Sequence, residues 1–291
     1  MKQVYTLDDL VGREVLDAGA DKPARLAVIG HPIAHSASPQ MHQAALDECC
    51  VDARYVRIDV EPGQVGEAFR RMRALGFYGC NVTVPHKLEA MEWCEVHPDA
   101  KVLGAVNTIR FDEDLTRGFN TDGPGFASSV GEVFGVDFAK LDIVIAGAGG
   151  GAGQAIASQA CLSGGGKLVL VNRSLEKLGP LVERLKRIRP ETEVIALSFD
   201  DPKLAAHCLA CDLIVNTSSV GLKNGDCSIL GVGCLKRLHL IYDTIYQPPV
   251  TPFLALANEA AAGRRMGSRC SSTRELWRSS IGSPRLRRWR R

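Results

Sequence analysis

The sequence predicts an α/β fold in two domains: an N-terminal, mainly parallel α/β domain and a Rossmann-type dinucleotide-binding domain. Three observations carry this expectation. Short apolar runs alternate with stretches of helical spacing through most of the chain. A glycine run, Gly147–Gly153, stands between one such apolar run and a helix. The length of 291 residues suits one or two domains and allows a sizeable core.

The elements follow in order. Arg25–Gly30 is a short apolar run ending in glycine, as in a buried strand. Ser38-Pro39 opens a helix to about Cys50, with Ser38 as N-cap and proline at the first helical position. Tyr55–Val60 reads as a strand, Pro62–Leu75 as a helix stopped by Gly76, and Gly79–Val84 as a strand ended by Pro85. Leu7–Val15 has the pattern of a short helix packed on this core. Further along, strands are expected at Asp142–Ala146, Lys167–Val171, Glu193–Leu197, Asp212–Asn216 and Leu240–Tyr242. Helices are expected after the glycine run to about Leu162, over Ser174–Arg187 and Asp201–Leu209, and from Phe253 to about Ala262. The implied division is 1–122, 123–250 and 251–291, the last holding a helix that returns to the first domain and a tail.

Composition excludes several classes. The chain is 45% hydrophobic and 23% charged, which suits a folded chain rather than a disordered one. It has no apolar run of about 18 residues, so no membrane span is expected. No apolar signal core occupies the first 25 residues, which favours the cytoplasm. Ten cysteines are scattered without a framework, so reduced thiols are expected. Cys208 and Cys211 form a lone CxxC with no second ligand pair, and no metal is expected.

The glycine loop is the strongest feature read from residues alone. Gly147, Gly149 and Ala152 fit G-x-G-x-x-[GA] directly after a strand and before a helix. Glycine permits the tight turn and lets backbone approach a pyrophosphate, while the helix N-terminus offers free N–H groups. At the end of the next strand, where a site for NAD would place an acid, the chain has Asn172-Arg173-Ser174. An acid would repel a 2′-phosphate and Arg173 can pair with it, so NADP is the expected cofactor.

Several segments, in order, resemble the shikimate dehydrogenase family. They are Gly30-His-Pro-Ile-Ala-His-Ser-Ala-Ser-Pro-Gln-Met-His42, Gly76-Phe-Tyr-Gly-Cys-Asn-Val-Thr-Val-Pro-His-Lys87, Gly104-Ala-Val-Asn-Thr108 and Gly118-Phe-Asn-Thr-Asp-Gly-Pro-Gly-Phe126. Gly147–Gly151, Asn172-Arg-Ser174, Asn216-Thr-Ser-Ser-Val-Gly221 and Tyr242-Asp-Thr-Ile-Tyr-Gln-Pro248 continue the run, so the resemblance spans about residues 25–262. It implies NADPH-dependent, reversible reduction of 3-dehydroshikimate to shikimate in a cleft between the domains. It gives Lys87 and Asp122 the proton-transfer roles. A lysine ordinarily titrates at about 10.4, so its surroundings would have to tune it. Ser36 and Ser38 are implied to bind the substrate carboxylate. Thr83, Asn107 and Asp122 would meet ring hydroxyls, Asn81 would support that wall, and Tyr246 would close the pocket from the cofactor side. Gly147, Ala148, Gly149, Gly150, Gly151, Asn172, Arg173, Ser174, Lys177, Ser218 and Thr244 are implied to hold NADP. A small-molecule substrate is the expected partner, with no nucleic acid or membrane, and a homodimer is left open. Quinate/shikimate dehydrogenase activity with NAD(P) is the nearest alternative, and a catalytically impaired binding homologue the alternative from another class.

The tail departs from that resemblance. The formal charge of +2 combines −7 over residues 1–263, from 25 basic and 32 acidic groups, with +9 over residues 264–291, from ten Arg and Glu275. Trp277 and Trp289 also lie there. The family's usual Asn-Gly-Leu-x-Met-Leu-x-x-Gln segment is missing. Met266–Gly282 can be back-translated so that another frame reads Gly-Leu-Ser-Met-Leu-Leu-His-Gln-Gly-Ala-Leu-Ala-Phe-Glu-His-Trp, which contains most of that pattern. A frameshift beginning between about Ala260 and Arg265 is therefore the expectation, ahead of a basic nucleic-acid-binding tail.

Overall fold

The computed structural model describes residues 2–262, and these divide into two units between Thr121 and Asp122. The Arg-rich segment, and with it the frameshift reading, lies outside the described residues.

The first unit runs β1 (Tyr5–Thr6), a 3₁₀ turn (Leu7–Asp9), α1 (Arg13–Asp17), β2 (Ala24–Gly30), α2 (Ser38–Glu48), β3 (Arg54–Asp59), α3 (Val65–Ala74), β4 (Gly79–Val82), a 3₁₀ turn (Glu89–Trp93), β5 (Glu95–Val96), α4 (Pro98–Leu103), β6 (Thr108–Phe111) and β7 (Thr116–Phe119). Its sheet has the order β1-β3-β2-β4-β6-β7-β5. The pairs β1–β3, β3–β2 and β2–β4 are parallel. β6 is antiparallel to both β4 and β7. Ala27, Val28 and Ile29 of β2 are all buried, as expected where helices cover both faces of a central parallel strand. Helix α3 buries Val65, Ala68, Phe69 and Met72, while Glu67 pairs with Arg70 and Arg71 on its other side. The Glu89 carboxylate accepts from the N–H groups of Gly63 (3.0 Å) and Val65 (3.0 Å), occupying donors at the start of that helix.

The second unit runs α5 (Asp122–Phe134), a 3₁₀ turn (Phe138–Lys140), β8 (Ile143–Ala146), α6 (Gly151–Ser163), β9 (Leu168–Val171), a 3₁₀ turn (Leu175–Lys177), α7 (Gly179–Ile188), β10 (Val194–Leu197), α8 (Leu204–Ala210), β11 (Leu213–Asn216), a 3₁₀ turn (Val232–Cys234), β12 (Leu240–Asp243) and α9 (Pro252–Ala262). The sheet order is β10-β9-β8-β11-β12 and every pair is parallel. This is a doubly wound sheet whose order reverses between β8 and β11. Every residue of β8, β9 and β11 is buried, which explains their continuous apolar runs.

Several sequence expectations change. Ser38 is the first residue of α2 and Ala37 precedes it as the cap, so Pro39 falls at the second helical position. Ser36 takes part of the capping role, its Oγ accepting from the Ser38 N–H at 3.3 Å. The expected helix over 174–187 splits at Leu178, because Pro180 fits only the first turn of the helix that follows. The hairpin β6–β7 has no counterpart among the expected elements, since four-residue strands carrying Arg110 and Arg117 leave too short an apolar period. Helix α9 packs on the second sheet: Phe253, Leu254 and Ala257 join Val144, Ile214 and Ile241 in one buried cluster. It therefore belongs with the dinucleotide-type unit, which corrects the expectation that this helix returns to the first domain.

Packing in the second unit can be tested at two positions. A β-carbon on Gly153 would lie 2.7 Å from Ala148 Cα and 2.9 Å from Gly147 O, backbone atoms that cannot swing aside. Gly153→Ala should cost roughly 1–3 kcal/mol in thermal or urea unfolding. His239 is buried, with its Nδ1 accepting from the Lys236 N–H at 3.1 Å and no partner for Nε2 among the described residues. Burial first, and then the Lys236 ammonium, push it down from 6.5 to about 4. The unfolded chain then binds a proton that the folded one excludes. Stability should be full above about pH 6.5 and fall towards pH 4, by on the order of 3 kcal/mol from this group. Urea midpoints across that range should lose this slope in His239→Gln; an unchanged slope would refute the assignment.

Candidate functional site

In the second unit the candidate residues gather at the carboxyl edge of the sheet, at the reversal of strand order. Gly147 follows β8 with φ +86°, a conformation that side-chain-bearing residues rarely adopt, and a β-carbon there would meet Ser218 at 2.8 Å. Its N–H and that of Ala148 donate to Val171 O, tying the loop to the end of β9. Gly149 backs onto Asn172: a β-carbon would lie 2.8 Å from the amide, and Asn172 Oδ1 accepts from the Gly149 N–H at 3.3 Å. Asn172 Nδ2 donates to Ser174 O at 2.9 Å, so one amide holds both sides of the βα corner. Around Gly151, at the start of α6, a β-carbon would meet nothing within 4 Å. The N–H groups of Gly147 to Gly150 are thus bonded within the protein, and the open start of α6 at Gly151 is where an anion could approach backbone N–H groups. Arg173 and Lys177 are exposed beside this corner, and no acid occupies the end of β9. The close-packed glycine that the motif reading assigned to Ala152 is Gly153; Ala152 is exposed.

A buried acid organises the opposite wall. Asp243, at the end of β12, accepts from Asn216 Nδ2 (3.2 Å to each oxygen), the Ile245 N–H (2.9 Å) and Thr251 Oγ1 (2.7 Å). Burial raises its pKa, partly opposed by those hydrogen bonds. Asn216 in turn accepts from Ser218 through Oδ1 (N–H 3.0 Å, Oγ 2.8 Å) and from Thr244 through its carbonyl (Oγ1 3.0 Å). Ser218 and Thr244, both predicted at the cofactor, are therefore fixed by one network. Tyr246 follows on the exposed segment after β12.

In the first unit the predicted residues also share one edge of the sheet. Gly30 ends β2 where a β-carbon would strike Thr83 Cγ2 (2.7 Å) and Ile33 Cδ1 (2.8 Å), so glycine lets the β2 and β4 ends meet. Thr83 N–H donates to Ile29 O at 3.0 Å. Ser36 lies in the β2–α2 connection, where Arg57 Nε and Nη2 donate to its carbonyl at 2.8 and 2.5 Å. Lys87 is half-buried in the turn after Pro85, and its carbonyl accepts from the Val106 N–H at 3.0 Å. His86 anchors the same turn: it is fully buried and its Nε2 donates to Val60 O at 2.7 Å. Asn107 immediately precedes β6 and is buried, its Oδ1 accepting from the Thr121 N–H at 2.9 Å. Because β6 is antiparallel to β4, its first residue lies beside Asn81, at the edge that also carries Thr83. Asp122 is the first residue of α5 in the second unit.

Sequence reasoning missed the supporting residues Arg57, His86, Tyr55 and Gly153. His86 and Gly153 stood inside recognised motifs, whereas nothing local marks Arg57 or Tyr55 as partners of Ser36 and Asn81.

The chain resembles known proteins over most of its length. Residues 28–109 match the family model of the shikimate dehydrogenase substrate binding domain. The chain is 38% identical over 248 residues to the shikimate dehydrogenase (NADP(+)) of Geobacter metallireducens, covering 85% of this chain and 84% of that one. A crystal structure of shikimate 5-dehydrogenase from Thermus thermophilus in complex with NADP(H) and shikimate superposes with a TM-score of 0.73 at 29% identity, over 92% of this chain and 93% of that one. Quinate dehydrogenase from Corynebacterium glutamicum in complex with NAD gives a TM-score of 0.73 at 27% identity, over 83% and 86%. With identity of this level across most of both sequences, and the same two α/β units, the chain belongs to the shikimate dehydrogenase family.

Proposed function

We propose that this chain catalyses the reversible NADPH-dependent reduction of 3-dehydroshikimate to shikimate. The observation that carries the reading is the gathering of Ser36, Asn81, Thr83, Lys87 and Asn107 around one sheet edge of a chain so similar to NADP(+)-linked relatives. NADPH supplies the hydride when bound. Gly147, Ala148, Gly149, Gly150 and Gly151 offer a close backbone approach and the α6 N-terminus for its pyrophosphate. Asn172, Arg173, Ser174 and Lys177 would take the 2′-phosphate, and Ser218 and Thr244 would line the nicotinamide end.

The remaining chemistry is a proton and an orientation. In the reduction Lys87 donates a proton to the carbonyl oxygen that becomes the hydroxyl, and in the reverse direction it accepts that proton. Asp122 orients the same hydroxyl and holds the lysine. Ser36 and Ser38 bind the carboxylate through their hydroxyls. Thr83 and Asn107 take ring hydroxyls, Asn81 supports them, and Tyr246 covers the pocket. Such a pocket selects by paired hydrogen bonds rather than by apolar area, because each buried donor left unmatched by a wrong substrate is costly. A cytoplasmic enzyme acting as a homodimer is part of this proposal, as is a division of labour in which residues 1–122 carry substrate binding and catalysis and residues 123–250 hold NADP.

Steady-state rates with shikimate or quinate, each with NADP+ or NAD+, test the reading. Shikimate with NADP+ should be the fastest pair; faster turnover of quinate with NAD+ would replace it with the activity named for the Corynebacterium relative. Lys87→Ala should lower kcat by roughly 100- to 10,000-fold with shikimate binding retained. An unchanged kcat would remove Lys87 from proton transfer. Arg173→Ala should raise the KM for NADP+ by about tenfold or more and leave that for NAD+ unaltered, since only the former has the phosphate it would pair with.

A further inference from the structure

One hydrogen-bonded chain in the first unit ends on Asn107 and begins on a residue outside every motif. Tyr55, in β3, is buried beneath His42, whose ring stacks on it at 4.5 Å between centroids and 13° between planes. Tyr55 Oη donates to Asn81 Oδ1 at 2.6 Å. Asn81 Nδ2 faces the Asn107 carbonyl (3.4 Å) and Thr108 Oγ1 (3.2 Å). A carbonyl can only accept, so the nitrogen of Asn81 must point that way and its oxygen towards Tyr55. The amide of Asn81 is thereby engaged on both sides by protein. Thr108 Oγ1, accepting from Asn81, donates to Asn107 Oδ1 at 2.9 Å and lies 3.1 Å from Thr121 Oγ1. The Thr121 N–H meets that same oxygen at 2.9 Å, and Thr121 Oγ1 lies 3.2 Å from it. Donors on one side therefore fix Asn107 Oδ1, and Nδ2 occupies the opposite edge of the amide.

We propose that Tyr55 is a positioning residue for substrate recognition: it anchors the Asn81–Thr108–Asn107 chain and so, together with the Thr121 N–H, holds Asn107 with Nδ2 as the donor to a ring hydroxyl oxygen of the substrate. This rests on the reading of Asn107 as a substrate contact. The chemistry is specific to the phenol. A phenylalanine would preserve the stack with His42 but leave Asn81 Oδ1 without its donor in a half-buried site, so the amide would lose its anchor and shift from Thr108 Oγ1. Burial raises the Tyr55 pKa, so the phenol remains a donor at neutral pH. A shifted Asn81 would no longer hold the Thr108 hydroxyl, whose hydrogen would then be shared between Asn107 Oδ1 and Thr121 Oγ1.

The test compares Tyr55→Phe, Asn107→Ala and the double variant in the full chain. Shikimate affinity is read by calorimetric titration, and kcat and KM by steady-state assay. Tyr55→Phe should weaken shikimate binding and raise its KM by about five- to tenfold, with kcat within about twofold and the KM for NADP+ unchanged. In the Asn107→Ala background the same change should add less than about twofold, because it acts through Asn107. Thr108→Val should reproduce the Tyr55→Phe pattern, and Thr108→Ser should restore binding. An unaltered shikimate affinity in Tyr55→Phe beside an impaired Asn107→Ala overturns the proposal alone. Fully multiplicative losses in the double variant also overturn it, since Tyr55 would then act by another route. Unaltered binding in Asn107→Ala overturns the underlying reading of Asn107, and the proposal with it.

Discussion

Parallel strand pairing is the constraint on which both units depend. A parallel strand cannot return by a tight hairpin, so each connection must cross a face of the sheet and deliver the next loop to the same edge. In the second unit this applies to every neighbouring pair, from β10 through β9, β8 and β11 to β12. The loops after β8, β9, β11 and β12 consequently collect together, bringing Gly147, Asn172, Ser218 and Thr244 to one edge. In the first unit the ends of β2 and β4 do the same for Ser36, Thr83 and Lys87. The antiparallel β6 adds Asn107 to that edge because its start, rather than its end, lies there.

Crowding at those edges explains the residue types found there. Glycine is needed where backbone would otherwise collide: Gly30 against Thr83, Gly147 against Ser218, and Gly153 against Ala148. Buried polar groups are tolerated only where partners surround them. Asp243 shows this, with three hydrogen-bonding residues around a carboxyl whose burial favours the protonated form. Asn107 shows it for an amide. In each case the polar atoms that stabilise the fold also orient a neighbouring side chain.

Much of the fold is legible because buried parallel strands are continuous apolar runs. Ile143–Ala146, Leu168–Val171 and Leu213–Asn216 stand out for that reason, and each lies within a residue or two of its expected bounds. Short strands with charged residues are less legible, as β6 and β7 show. Helix starts mislead where two cues compete, as at Ser38, where the capping oxygen comes from Ser36 two residues earlier. The glycine motif is plain, but its packing position is displaced by one residue, because Ala152 and Gly153 both satisfy a small-residue pattern and only the approach of Ala148 separates them. Helix α9 belongs to a different unit from the one expected because its apolar spacing says that a face is buried, not against which sheet.

The sequence by itself determined the two α/β units, the glycine turn, the missing acid at the end of β9 and the family. These are local patterns: a period, a turn residue, a charge at a fixed offset. Tertiary structure decided what those residues touch. Tyr55 and Asn81 are 26 residues apart, Asn216 and Asp243 27 apart, and Arg57 and Ser36 21 apart. No periodicity encodes such pairs, because each arises where neighbouring strands place distant side chains within hydrogen-bonding reach. Asn107 is set by contacts of this kind, its Oδ1 meeting a hydroxyl on β6 and the Thr121 N–H fourteen residues on.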